Sequence, residues 1–196
     1  IKSLIDEDYL GKVYECHGVF SVGLWASDKI SLGWRGKKEL AGAGVLADLG
    51  GHLTDLTRWY LGEFDEVIGQ ASTKIPIRKI SANQTEKINV FDTCNLLVRF
   101  KEGALGSFQM SYVDISRDLF FRLELNGSQG AIHYELEMKN DSIFTRLGLC
   151  NSESQTLTWT SKDSTFSEII DKLCLGFIDG VKRGESELPS IKDGLS

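Results

Sequence analysis

Val45-Leu-Ala-Asp48-Leu-Gly-Gly-His52-Leu-Thr-Asp55-Leu-Thr-Arg-Trp59-Tyr-Leu61 carries apolar side chains at 45, 46, 49, 53, 56 and 60. That spacing closes on one face only if the run is helical. Gly44 precedes it and Gly62 follows it, where a left-handed C-terminal cap favours glycine. Turned by about 100° per residue, His52 falls about 40° from Asp48, Asp55 about −20° and Trp59 about 20°. Two carboxylates and an imidazole therefore share one narrow stripe. The apolar arc lies between about 60° and 160°, directly beside it. A charged stripe bordering the core-facing arc is where the rim of a pocket belongs, whereas a solvated face lies opposite the core.

Working outward, Ile1–Tyr9 has apolar residues at 1, 4, 5 and 9, followed by Gly11, and reads as the last turns of a helix that begins upstream. Lys12–Phe20 reads as a strand. Residues 21–44 carry Trp25, Trp34 and several glycines without a clear period and read as a long loop. Beyond Gly62 the pattern turns strand-like: Phe64–Ser72, Ile88–Phe100, Ala104–Tyr112, Leu119–Leu125, Ala131–Glu137, Ile143–Leu147 and Gln155–Thr160. The connections Lys101-Glu-Gly103 and Asn126-Gly-Ser-Gln-Gly130 are short, so the strands they join are expected to be antiparallel neighbours. Thr165-x-x-Glu168 is a capping box opening a second amphipathic helix, with Phe166, Ile169, Ile170, Leu173, Phe177 and Val181 on its apolar side and Pro189 marking its far boundary. The expected class is α+β: an open, mostly antiparallel or mixed sheet of about seven or eight strands, with helices on one face.

Composition removes several classes of function. The chain has 196 residues, 41% hydrophobic and 26% charged, which suits a globular fold rather than a disordered one. With 22 Lys and Arg against 28 Asp and Glu the net charge is −6, and no basic run exceeds Arg35-Gly-Lys-Lys38. Binding a polyanion needs clustered cations, so nucleic acid is not the expected partner. No apolar stretch reaches the length of a membrane span. Cys16, Cys94, Cys150 and Cys174 are scattered without a Cys-x-x-Cys pair, the usage of free thiols in a reducing, cytoplasmic compartment rather than of a zinc ribbon.

For the Asp48–His52–Asp55 stripe three readings stand. It is a surface hydrogen-bond group, a proton-transfer site in which a carboxylate tunes the imidazole, or a metal site. The metal reading lacks a second helical histidine. Gly42-Ala-Gly44-Val-Leu-Ala47 fits the loose Gly-x-Gly-x-x-Ala dinucleotide fingerprint. That motif requires a buried strand just before it, and Arg35-Gly-Lys-Lys-Glu39 is not one. His17 and His133 fall in strand patterns and read as structural.

The segment from Ala41 to Gly62, with Gly42, Gly44, Leu46, Asp48, Gly50, His52, Asp55, Trp59 and Gly62, closely resembles a signature of the glucose–fructose oxidoreductase/inositol dehydrogenase (Gfo/Idh/MocA) family. That signature reads Gly-Gly-Gly-x-Leu-x-Asp-x-Gly-x-His-x-x-Asp-x-x-x-Trp-x-x-Gly, and Ala43 stands where its second glycine is usual. Tyr9-Leu-Gly-Lys-Val13, Phe100-Lys-Glu-Gly-Ala-Leu-Gly106, Leu125-Asn-Gly-Ser-Gln-Gly-Ala-Ile132 and Leu188-Pro-x-x-x-Asp-Gly-Leu195 extend the resemblance along most of the chain. It implies that residues 1–196 form a substrate-binding and oligomerisation domain, with 1–9 the tail of an upstream helix and a Rossmann domain lying before Ile1. It also implies an NAD- or NADP-dependent dehydrogenase of a sugar, polyol or sugar derivative, with no cofactor or metal site in this part. Assembly into a homodimer or larger oligomer through the open sheet face is implied as well. By position, His52 resembles the residue that takes the substrate hydroxyl proton, Asp48 the carboxylate that orients and polarises that site, and Asp55 a substrate-hydroxyl ligand. Trp34 and Arg35 are expected to line the pocket, with Tyr112 and Arg117 further candidates. The readings from other classes are a non-catalytic sheet module for assembly or ligand sensing, and a metal-dependent hydrolase or isomerase using Asp48 and His52.

Overall fold

The structure is a computed structural model that describes residues 1–139, 142–153 and 156–184. In chain order it contains α1 (Lys2–Asp6), β1 (Val13–Val22), α2 (Lys38–Ala41), α3 (Val45–Leu61), β2 (Phe64–Ser72), β3 (Ile77–Ser81), β4 (Gln84–Lys87), β5 (Thr93–Phe100), β6 (Leu105–Ser111), β7 (Leu119–Gly127), β8 (Gly130–Lys139), β9 (Ser142–Asn151), β10 (Thr158–Thr165) and α4 (Phe166–Arg183). Eight strands form one sheet in the order β10-β9-β8-β7-β1-β6-β5-β2, and β3 and β4 form a separate hairpin.

The short turns do join antiparallel neighbours: β5 with β6, β7 with β8, β8 with β9. The exception is β1, which enters between β6 and β7, parallel to the first and antiparallel to the second. The chain leaves β1 through the helical layer before returning to the sheet, so nothing local fixes its neighbours. The sheet is therefore mixed rather than purely antiparallel.

Alternation along the strands gives the sheet two unlike faces. One carries Cys16, Cys94, Leu96, Val98, Phe100, Phe108, Met110, Leu123, Leu125 and Ile132, all buried. Val45, Leu49 and Leu53 of α3 are buried in the same core. Close approach of helix and sheet needs a residue without a side chain: a Cβ on Gly18 would lie 2.7 Å from a Leu53 methyl. At the other end of the seam, Gly44 sits at φ +63°, where a Cβ would come within 2.4 Å of the Phe91 carbonyl oxygen. The Val45 N–H donates to that same oxygen at 2.9 Å, which ties the first turn of α3 to the segment leading into β5.

Several local expectations need correction. Residues 21–44 are not one structureless loop, because 3-10 turns at Gly23–Trp25 and Gly33–Gly36 and the short α2 break it up. Ile88–Val90 is not part of a strand; Ile88 and Val90 are buried, but pairing begins at Thr93. There the fully buried Asp92 carboxylate accepts from the backbone N–H groups of Lys74 (2.7 Å) and Ile75 (2.8 Å) instead. Nothing in the residue pattern announces the β3–β4 hairpin, because its polar residues show no buried alternation. The last strand runs Thr158–Thr165, and Gln155, with which it was expected to open, lies outside the described residues. The capping box at Thr165 and Glu168 is formed, with reciprocal hydrogen bonds. Of the apolar side expected for α4, Ile170, Phe177 and Val181 are exposed; the side chains of Phe166, Ile169 and Leu173, and the whole segment holding Pro189, lie outside those described. No helix among the described residues is long and apolar enough to cross a membrane.

Candidate active site

The helical stripe is real, and the structure supplies it with partners from two other parts of the chain. Asp48 stands in the first turn of α3, its side chain about a third exposed. Its Oδ2 accepts from the Arg35 Nε at 3.2 Å and from the Tyr112 hydroxyl at 2.5 Å. A cation and a phenol thus converge on one carboxylate oxygen, both charge-assisted hydrogen bonds of the stronger kind. Arg35 is in turn held by aromatic faces, its guanidinium carbon 4.4 Å from the centre of the Trp34 ring and 5.2 Å from that of Trp25. Trp25 meets Tyr112 edge to face with 4.9 Å between ring centres. Trp34 itself is 52% exposed, so one aromatic surface beside Asp48 remains open to solvent.

Tyr112 is placed differently from the substrate contact expected of it. Its side chain is fully buried and its hydroxyl is spent on Asp48, so it bears on the site only through that carboxylate. Burial, then the hydrogen bond to Asp48 and its charge, push its pKa far above the ordinary phenol value, and the nearby Arg35 only partly opposes them. Tyr112 is accordingly a permanent donor that fixes the Asp48 carboxylate.

His52 lies one helical turn beyond Asp48, exposed, with its ring 6.2 Å from that of Phe20 on β1. Asp55 is exposed on the same side of α3 and adds its charge to the field around Arg58, which Glu63 holds more directly. Arg117 is not brought to this site: its guanidinium covers the Phe120 ring at 3.5 Å. His17 and His133 belong to the opposite face of the sheet, His17 against Ser107 (2.7 Å) and His133 against the Trp159 ring (6.2 Å).

Two participants carry no sequence signal of their own. Trp25 is one of two tryptophans in an aperiodic segment, and only the fold shows it packed on both Tyr112 and Arg35. Arg78, which donates to the Trp25 carbonyl, lies in the β3–β4 hairpin. Among the described residues no three His, Cys, Asp or Glu side chains gather as metal ligands. The glycine-rich entry to α3 does not fit a dinucleotide. It follows the short helix α2 rather than a strand, the space at Gly44 is filled by Phe91 and Val90, and the Val45 N–H is already bonded.

Comparison with known proteins agrees with this architecture. A family model described as the GFO/IDH/MocA C-terminal domain matches residues 1–133. A levoglucosan dehydrogenase from Pseudarthrobacter phenanthrenivorans is 28% identical over 154 residues, which cover 71% of this chain and 39% of that protein. Among solved structures, an oxidoreductase domain protein from Kribbella flavida superposes with a TM-score of 0.85 at 23% identity, covering 99% of this chain and 57% of the other. A levoglucosan dehydrogenase in complex with NADH and L-sorbose gives 0.83 at 23% identity, covering 98% and 55%. At such identities the superpositions speak to the fold alone. The chain spans about two fifths of the curated relative and little more than half of those structures.

Proposed function

Because the chain belongs to the GFO/IDH/MocA family through that family's C-terminal domain, we propose that it forms the substrate-binding and assembly part of an NAD(P)-dependent dehydrogenase acting on a sugar, polyol or sugar derivative. The observation that carries this reading is the Asp48 carboxylate, held by Arg35 and Tyr112 one turn from an exposed histidine and beside an open tryptophan face. Oxidising an alcohol removes a hydride from carbon and a proton from oxygen. Nicotinamide bound by an upstream Rossmann domain would accept the hydride, and the residues of this chain serve the proton. His52 takes it from the substrate hydroxyl, Asp48 orients and polarises that site, and Asp55 binds a neighbouring hydroxyl. Trp34 offers an apolar face to the C–H side of a sugar ring, while Arg35 holds that wall to Asp48. This division makes the 196-residue chain inactive alone. The open sheet face, which exposes Ile68, Leu97 and Leu105, is the assembly surface.

The test is to assay the complete enzyme with levoglucosan, L-sorbose and a panel of polyols, using NAD⁺ and NADP⁺ in turn. At least one pair should turn over, and His52→Ala should lower kcat by roughly 10²–10⁴-fold, the usual worth of a positioned base. A wild-type rate in that variant would overturn the assignment. Isothermal titration of the 196-residue chain with NADH should give no heat of binding; tight binding would refute the division of labour.

A further inference from the structure

Arg78 lies in β3, far along the chain from the site, and its side chain is fully buried. One of its amino groups, Nη1, shares its two N–H donors among three backbone carbonyls, of Trp25 (2.6 Å), Ser27 (2.8 Å) and Ile30 (3.2 Å). Its Nε and Nη2 are buried without a hydrogen-bond partner. Burial lowers its pKa while Asp92, Glu86 and Asp28 pull the other way, but a guanidinium stays charged throughout the working range. A buried cation with three of its five N–H donors unmet is a poor way to stabilise a fold, and well-packed apolar groups commonly do as well or better.

What Arg78 does supply is position. The three carbonyls it gathers lie in the segment that opens with Trp25 and runs on to Trp34 and Arg35. The same hairpin grips that segment twice more, through Lys79 N–H to the Asp28 carbonyl (2.7 Å) and through the Ser31 hydroxyl to the Glu86 carboxylate (2.5 Å). From Trp25 the contacts continue without a gap, to Tyr112 and Arg35 and from both to Asp48.

We propose that Arg78 is a positioning residue. It clamps the Trp25–Ile30 backbone to the β3–β4 hairpin and thereby sets the Trp25–Trp34–Arg35 wall against which substrate lies beside Asp48. It touches neither substrate nor Asp48. The proposal rests on the functional reading above, and its test has one arm that does not.

In the complete enzyme, Arg78→Met and Arg78→Lys are compared with wild type by steady-state kinetics on levoglucosan or L-sorbose and by amide hydrogen exchange. The wall holds the sugar alike in ground state and transition state, so loosening it weakens binding and shows in KM rather than in kcat. The Met variant should therefore raise KM for the sugar on the order of 10–100-fold. Its kcat should change less than about 3-fold and its KM for the nucleotide not at all. Exchange across 25–35 should accelerate at least about 10-fold, with strands β5 to β7 unchanged. An ammonium has three donors for three carbonyls, so the Lys variant should recover most of both effects. Unchanged exchange across 25–35 overturns the clamp, and faster exchange with an unchanged KM overturns its bearing on substrate. If the Met variant fails to fold, Arg78→Gln, which keeps a single amide NH2 for the three carbonyls, takes its place and should still show faster exchange across 25–35 and a raised KM for the sugar, with wild-type behaviour on both overturning the proposal. If wild type oxidises no sugar of the panel, the functional reading fails by itself and the exchange arm still decides the clamp.

Discussion

Replacing Tyr112 by Phe removes one oxygen from the middle of the site and leaves the ring packed against Trp25. The lost bond joins a fully buried phenol to a carboxylate at 2.5 Å. Hydrogen bonds to charged groups contribute about 1.5–3 kcal/mol. The Asp48 side chain is 30% exposed and keeps Arg35, so water can replace the missing donor, and the lower end, about 1.5 kcal/mol, is the figure to expect. With a urea m-value of about 2 kcal/mol/M for a chain of this size, the unfolding midpoint should fall by about 0.7 M. Tyr134→Phe is the control: burial raises that phenol too, without a charged partner in contact, and its midpoint should hardly move. The pH dependence adds a second signature. The folded pKa of Tyr112 is raised above the unfolded value near ~10, so its contribution is whole below that pH. Above pH ~10 the unfolded chain releases a proton that the folded one retains, and stability declines by up to about 1.4 kcal/mol per pH unit for this group. The variant should be less stable near neutrality and lose less on the way to pH 11. In the complete enzyme the same change should lower kcat about 10-fold, as Asp48 loses one of its two anchors. A midpoint within about 0.2 M of wild type, together with an unaltered alkaline limb, would refute the view that Tyr112 fixes Asp48.

Gly18→Ala should destabilise the chain by roughly 1–3 kcal/mol, because the new methyl would sit 2.7 Å from Leu53, which is itself fully buried; a urea midpoint shift under about 0.2 M would show that α3 can slide away freely. Burial pushes the Cys16 thiol up to about 12, so at pH 8 only about one molecule in 10⁴ carries the thiolate. Mass spectrometry after brief alkylation of the native chain should find label on the exposed Cys174 and none on Cys16 until denaturant is added; rapid labelling of Cys16 would mean the β1 region opens readily. Leu97→Arg places a charge on the open sheet face, in β5 beside the edge strand β2, where Leu97 is 62% exposed. Light scattering should report an oligomer for wild type and a monomer for the variant; a monomeric wild type, or an unchanged mass in the variant, would refute the proposed assembly surface.

What the sequence could and could not reveal follows from how far apart the interacting residues lie. The helix of Val45–Leu61 repeats its apolar residues every turn, so both its core face and the adjoining Asp48–His52 stripe are local facts. The groups that complete the site are not. Tyr112 is 64 residues from Asp48, and Arg78 is 53 from Trp25, distances over which no period survives. Tyr112 is a pocket candidate only by the family resemblance, and whether its hydroxyl faces open space or a carboxylate depends on how the strands are ordered. That order turns on β1. Consecutive strands are antiparallel neighbours from β5 to β6 and from β7 through β10, whereas β1 is free to choose, and it takes the gap that separates β6 from β7. The choice has direct consequences for the site. It sets Gly18 beside Phe108 and beneath Leu53, which draws α3 down onto the sheet. It also brings Phe20 level with Met110, two residues before Tyr112, and places its ring beside His52. The parallel pairing that no local pattern announces is thus the feature that brings the imidazole and the anchored carboxylate to the same edge of the core.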